Sequence, residues 1–237
     1  MEDPLKLNAI VIGATGAVGR ELVDFLLSDK NYNKISIFVR RIIDRWIDLP
    51  EDKKQKLNII EVDSLDCLED ENKIKELLND NLKYDVLFNV LGSRSGLGEE
   101  VFRKVDYTYV VNSCILCEKL NITHFSNCSA AGVDKNSCIL YNRVKGEAED
   151  ECLKKKVNYI SIFKPGPITD RDNDSRCGEN LLGCLMCCCC CWRISSKEIA
   201  LGMMFDDINY QLSSKDQKNV KYSTGQIKDL AQKGNTF

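Results

Sequence analysis

Three residues carry groups that could together handle a proton at a carbonyl oxygen: Ser129, Tyr141 and Lys145. Tyr141-Asn-Arg-Val-Lys145 sets a phenol and an amine four residues apart, which places them on one face of a helix. Hydride reduction of a carbonyl needs a proton donor at the oxygen. Free tyrosine, with a pKa of about 10, is a poor acid–base catalyst at neutral pH. An ammonium alongside favours the phenolate and brings proton exchange closer to neutrality. The same ammonium can bond a cofactor's ribose. Ser129, twelve residues before Tyr141, is placed to hydrogen-bond the substrate oxygen, with Cys128 directly before it. A tyrosine and a lysine at this spacing are, by themselves, more often a solvated helix face. A second motif upstream raises their meaning.

That motif is IVIGATGAVG, residues 10–19. An apolar run (Leu7, Ala9, Ile10, Val11, Ile12) leads into Gly13, Gly16 and Gly19, and then into an amphipathic helix over 20–27. In a strand–turn–helix that holds a dinucleotide, Gly13 permits the tight turn and Gly16 lets the backbone approach a pyrophosphate. Gly19 lets the helix pack close to the sheet. Thr15, Ala17 and Val18 complete the turn, and the helix N-terminus offers free N–H groups to the phosphates.

The second strand ends in Arg40 and Arg41, where a dinucleotide fold reads the adenosine ribose. An acidic residue there would suit NAD; two guanidiniums suit a 2′-phosphate, so the expected cofactor is NADP(H). The plainer alternative is two solvated loop arginines. Asp63, ending the third strand, is placed to accept from the adenine amine or to cap the helix that follows. Leu91, Gly92 and Ser93, ending the fourth strand, should line the cofactor. Pro165-Gly166-Pro167 after the sixth strand should pass the nicotinamide, with Ile168 or Thr169 at the carboxamide, unless it is only a strand-ending turn.

The elements that must position these groups alternate. Strands are expected at 35–39, 57–62, 85–91, 124–127 and 159–163, and helices at 67–78, 99–120 and 140–155. Short apolar runs separated by helical periods indicate βαβ units and a parallel sheet buried on both faces. The expected fold is α/β, a doubly wound parallel Rossmann sheet over 1–164, with a small C-terminal helical cap over 165–237 in the same continuous domain. Residues 41–55 read as a charged surface loop, with Trp46 as its partly buried anchor or as a cap on the adenine side of the cofactor. Ser195-x-x-Glu198 and Ser223-x-x-Gln226 are capping boxes that open helices at 196–207 and 226–233.

A formal net charge of −3 argues against a nucleic-acid partner. Thirteen cysteines behind an acidic start without a secretory leader imply free thiols and a cytoplasmic location. Cys184, Cys187, Cys188 and Cys191 would share a helix face, with Cys189 and Cys190 beside them. They read as small hydrophobes in a cap helix, or as S-acylation sites that would tether the chain to a membrane. Contiguous thiols lack the loop geometry of a structural zinc site, and no metal is expected. His124 has no carboxylate or serine at a triad-like spacing and reads as structural.

Gly13-Ala-Thr-Gly16, Phe38-Val-Arg-Arg41, Leu91-Gly-Ser-Arg94, Val105-Asp-Tyr-Thr-Tyr109, Gly132-Val-Asp-Lys135, Tyr141…Val144-Lys-Gly-Glu147 and Phe163-Lys-Pro-Gly166 resemble the atypical short-chain dehydrogenase/reductases. Within that family the chain is most similar to the Tat-interacting oxidoreductase subgroup, which the polar stretch 170–179 also resembles. The resemblance covers nearly the whole chain and implies a Rossmann sheet, NADPH, a small-molecule substrate and the Ser129–Tyr141–Lys145 set. It also implies protein partners, and a homodimer paired through the helices at 99–120 and 140–155. The cysteine run departs from the family pattern. Two readings follow: an NADPH-dependent reductase of a small carbonyl compound, or an NADPH-binding protein-interaction module with little turnover. A nucleotide-sugar epimerase would share the triad, but needs a larger substrate domain than the residues after Lys164 offer.

Overall fold

The computed structural model describes residues 3–78, 82–93, 96, 98–170, 192–213 and 218–235. The apolar runs become a sheet of seven parallel strands: β1 (Leu7–Ile12), β2 (Tyr32–Val39), β3 (Leu57–Glu61), β4 (Val86–Asn89), β5 (His124–Cys128), β6 (Tyr159–Lys164) and β7 (Lys218–Ser223). Their order is β3-β2-β1-β4-β5-β6-β7. The winding reverses between β1 and β4, which is where an open α/β sheet binds its ligand, beyond the carboxyl ends of the strands.

Alternation along the strands feeds two cores. Ala9 and Val11 of β1 point into one, with α1 (Ala17–Ser28), α7 (Ser196–Leu212) and α8 (Thr224–Gly234). Ile10 and Ile12 point into the other, with α3 (Glu71–Leu78), α5 (Tyr109–Leu120) and α6 (Leu140–Cys152). Two further short helices are α2 (Glu51–Lys56) and α4 (Glu99–Arg103).

The structure departs from the expectations in four places. The C-terminal third adds β7 to the sheet besides its helices. Its sequence, KNVKYS, shows no apolar run because an edge strand here leaves alternate residues exposed. The stretch 41–55 holds a 3₁₀ turn at Asp44–Trp46 and the start of α2, and Trp46 is buried at 3% exposure, so it anchors the segment and cannot cap an adenine. The helix expected from residue 67 begins as a 3₁₀ turn, Leu65–Glu69, before α3. The long helix expected over 99–120 is broken by a π turn, Lys104–Thr108, between α4 and α5. The expected cysteine-rich helix and most of the polar stretch at 170–179 lie outside the described residues. Both capping boxes are present at Ser195/Glu198 and Ser223/Gln226. Among the described residues no helix is long and apolar enough to cross a membrane.

Candidate active site

The glycine motif sits at the switch point. Gly13 has φ +92°, and a Cβ there would stand 2.8 Å from the Leu91 backbone nitrogen, so only glycine lets β1 turn against the chain leaving β4. That contact brings Gly13 and Leu91 together. A Cβ on Gly19 would stand 2.3 Å from the Gly13 carbonyl, which fixes how closely α1 packs on the turn. Gly16 differs: a Cβ would meet only the Gly13 oxygen, at 3.4 Å, so what lies above it is room. As N-cap of α1 it also provides no side chain for the first-turn N–H groups, and that turn contains no acidic residue. Those donors are therefore available to an anion. A cavity of about 450 Å³ opens beside this turn, lined in part by Ala17, Arg20, Ile43, Arg45, Asp170 and Ser196. Thr15 and Gly16 are exposed, whereas the Val18 side chain is buried in the core, leaving only its backbone to a ligand. An anionic dinucleotide fits this cradle.

Arg40 and Arg41 emerge exposed from the end of β2. Asp63 is exposed beyond β3; the cap of the following turn is Ser64, whose Oγ accepts from the Asp66 N–H, so the capping alternative for Asp63 falls away. The segment after β6 is bound differently from expectation. Gly166 donates to Thr224 Oγ1 at 2.9 Å, and a Cβ on it would stand 2.1 Å from the Trp192 carbonyl oxygen. Its glycine thus answers to the returning chain. Ile168 pairs with Ile194 in an isolated bridge and packs on the α1–α7 core, while Pro165 accepts from the Ala131 N–H.

The proton-handling set is built from two elements, the end of β5 and α6. Ser129 follows β5, its N–H held by the Phe163 carbonyl at 2.8 Å. Tyr141 and Lys145 lie one turn apart on α6. The Tyr141 ring stacks on the fully buried Phe102 with 5.6 Å between centroids, and Lys145 Nζ lies 5.6 Å from the Tyr141 centroid. Ser129 and Lys145 line one recess with Asp106, Asn127 and Cys128.

Two carboxylates that sequence reasoning passed over organise this set. Asp106, turned inward by the π turn, holds Lys145 Nζ at 2.7 Å on Oδ1 and accepts from the Ser93 N–H and Oγ at 2.9 and 2.6 Å on Oδ2. π turns of this kind recur at functional sites. Burial works against the Lys145 charge, but Asp106 and then Tyr141 outweigh it and raise the ammonium above the ordinary lysine range. Glu149, 3% exposed, accepts from Ser129 Oγ at 2.6 Å on Oε1. Its Oε2 takes Lys221 Nζ at 3.1 Å and Lys164 Nζ at 3.4 Å. Tyr141, Lys145 and Glu149 stand at i, i+4 and i+8; that spacing was the available signal for Glu149. Asp106 had no such signal, because an inserted π residue decides which way it faces. Gly146, between them, lets α6 press on the turn before it: a Cβ would stand 2.3 Å from the Lys135 nitrogen.

His124 finds its partners in the fold. Its Nδ1 is 2.8 Å from Asp207 Oδ1 and its Nε2 2.8 Å from Ser161 Oγ. The geometry is that of a hydrolytic triad, but all three residues have 0% exposure, at the opposite end of the sheet from the glycine turn, so no substrate reaches them. Among the described residues no group of histidines, cysteines or carboxylates is arranged to hold a metal.

A family model described as NAD(P)H-binding matches residues 13–179, spanning the glycine turn, Ser129, Tyr141 and Lys145. The chain belongs to the NAD(P)H-binding family. Protein HTATIP2 of Rattus norvegicus is 30% identical over 173 residues, covering 73% of this chain and 67% of that protein. Protein FMP52-2, mitochondrial, of Scheffersomyces stipitis is 29% identical over 165 residues, covering 68% of this chain and 66% of that protein. The chain thus spans about two thirds of the length of these relatives. Among solved structures, MoeE5 in complex with UDP-glucose and NAD superposes with a TM-score of 0.64 at 12% identity, covering 97% of this chain and 81% of that one. A short-chain dehydrogenase/reductase of Veillonella parvula in complex with NADP gives 0.57 at 13% identity, covering 92% and 94%. These likenesses show the fold: this NAD(P)H-binding protein has a Rossmann architecture.

Proposed function

We propose that this NAD(P)H-binding protein is an NADPH-dependent reductase of a small carbonyl compound. The observation that supports it most is the buried Lys145, which lines a recess with Ser129 and stands over the Tyr141 ring beside the switch point of the sheet. Bound NADPH would supply hydride. The first turn of α1 would hold the diphosphate, Arg40 and Arg41 the 2′-phosphate, and Leu91–Ser93 would border the cofactor. Tyr141 donates the proton to the carbonyl oxygen. Lys145, held by Asp106, orients the phenol and reaches the ribose, and Ser129 contacts the reacting oxygen.

Calorimetric titration with NADPH and NADH tests the cofactor half. Tight NADPH and weak NADH binding is expected. The paired substitution Arg40→Ala/Arg41→Ala should lower NADPH affinity about 100-fold, since each guanidinium–phosphate contact is a charge-assisted hydrogen bond, and leave NADH unchanged. Equal binding of the two cofactors by the wild type would overturn the assignment of the arginines.

Similarity to HTATIP2, whose name denotes a Tat-interacting protein, favours a second reading: an NADPH-ordered surface for a protein partner. That reading expects partner capture to need NADPH and to tolerate Tyr141→Phe. The cysteine-rich composition supports a reducing, cytoplasmic setting, whereas the Scheffersomyces relative carries "mitochondrial" in its name. Subcellular fractionation of the native protein separates the two.

A further inference from the structure

Among the described residues no group hydrogen-bonds the Tyr141 hydroxyl, so the direction of the phenol is set by what touches its ring. That ring is half-buried, and a long side chain on a helix otherwise chooses between two rotamers. Phe102 makes the choice. Its own ring is fully buried, stands 5.6 Å from the Tyr141 ring between centroids and is inclined to it by 27°, a stacked pair. The platform is itself fixed. The Phe102 N–H is held by the Gly98 carbonyl at 3.0 Å, and Arg103, the next residue, donates to Glu147 Oε2 at 2.6 Å, which ties α4 to α6 beside the stack.

The match extends over one further turn. Phe102 and Asp106 are four residues apart where α4 runs into the π turn, and Tyr141 and Lys145 are four apart on α6. Phe102 meets Tyr141, and Asp106 meets Lys145 at 2.7 Å. Each member of the proton-handling pair thus has its own partner, a ring for the phenol and a carboxylate for the ammonium.

Resting on the reductase reading, we propose that Phe102 is a positioning residue, which fixes the plane and direction of the Tyr141 phenol so that its proton is presented to the carbonyl oxygen. Its burial keeps Phe102 itself from the substrate, and it takes no part in the proton's transfer. The ion pair of Asp106 and Lys145 leaves this task to the stack, because it grips the neighbouring side chain and not the ring.

Phe102→Leu tests the proposal on the full chain: it keeps an apolar side chain at the site and removes the ring plane. NADPH oxidation is followed with whichever quinone, aldehyde or ketone the wild type reduces. The variant should lower kcat about 30-fold, within the range that a misplaced catalytic group costs, while KM and NADPH affinity stay within about two-fold. Phe88→Leu, at an equally buried ring on β4, is the control for lost packing. Both variants should lower Tm, and only Phe102→Leu should lower kcat. An unchanged kcat in Phe102→Leu, or an equal loss in both variants, overturns the proposal.

Crystal structures of the wild type, free and with NADPH, decide the point where Phe102→Leu does not fold or no carbonyl compound turns over. The Tyr141 ring is expected on Phe102 in both; a ring that leaves Phe102 when NADPH binds overturns the proposal. Absence of NADPH binding in calorimetry would instead overturn the reductase reading, with the free structure still deciding whether Phe102 holds the ring.

Discussion

Tyr141→Phe is expected to cut carbonyl reduction about 10³-fold while leaving NADPH affinity within about two-fold of wild type, the range that a positioned general acid contributes. The substitution removes one oxygen and little else. The phenyl ring keeps its stack on Phe102, and Lys145 keeps Asp106 at 2.7 Å, so neither the helix nor the ammonium loses its anchor. Loss of turnover with intact binding would therefore report the missing proton donor. The measurement is NADPH oxidation against a panel of quinones, aldehydes and ketones, paired with calorimetry on the same preparations. Equal rates for both chains would mean that the proton comes from elsewhere. Partner capture that survives the substitution while wild-type turnover stays negligible would favour the interaction module.

How much of this site the sequence discloses depends on whether a position is fixed by local geometry or by tertiary packing. Gly13 was legible because a turn at the end of β1 demands positive φ, a local requirement. The placement of Tyr141 and Lys145 one turn apart is legible because helical spacing is local as well, and that of Arg40 and Arg41 because they directly follow the apolar run of β2. Asp106 was hidden: in an unbroken helix over 99–120 it would face elsewhere, and only the π turn brings it to Lys145 and Ser93. Gly166 leaves two readings in the sequence, a passage for the nicotinamide or a strand-ending turn, and the Trp192 carbonyl oxygen that stands against it, far along the chain, belongs to neither pattern. β7 escaped because its burial depends on β6 and α8 lying beside it, and its own residues alternate too weakly to announce a strand. His124 shows the same limit. Its partners lie 37 and 83 residues away, on β6 and α7, and no spacing rule connects them.

The buried network around His124 gives the largest expected effect on stability, and two adjacent aspartates should respond with opposite sign. Asp207 accepts from the Tyr32 hydroxyl at 2.7 Å, from His124 Nδ1 at 2.8 Å and from Gln211 Nε2 at 3.1 Å, all within a fully buried site. A carboxylate only accepts, so the proton of the bond to His124 sits on Nδ1, and Nε2 takes the Ser161 hydroxyl. Asp207→Ala would strand three donors away from water and should cost about 4 kcal/mol, lowering Tm by about 10 °C in calorimetric melts. Asp206 is placed less favourably. Its Oδ1 accepts from Tyr222 and Tyr159 at 2.6 and 2.8 Å, but its Oδ2 lies 3.8 Å from His124 Nε2, outside hydrogen-bond range. Burial pushes its carboxyl above the ordinary aspartate range, outweighing the hydrogen bonds from the two tyrosines. A carboxyl raised in the folded state contributes stability below its unfolded value, about 3.9, and loses that contribution as pH rises through the folded value. Asp206→Asn keeps an oxygen for the tyrosines and has no charge to bury. It should match or exceed wild type at pH 7 and flatten the fall in stability above about pH 4. Equal losses in both variants would mean that α7 tolerates no change at this depth, and that the network's hydrogen bonds do not set the balance.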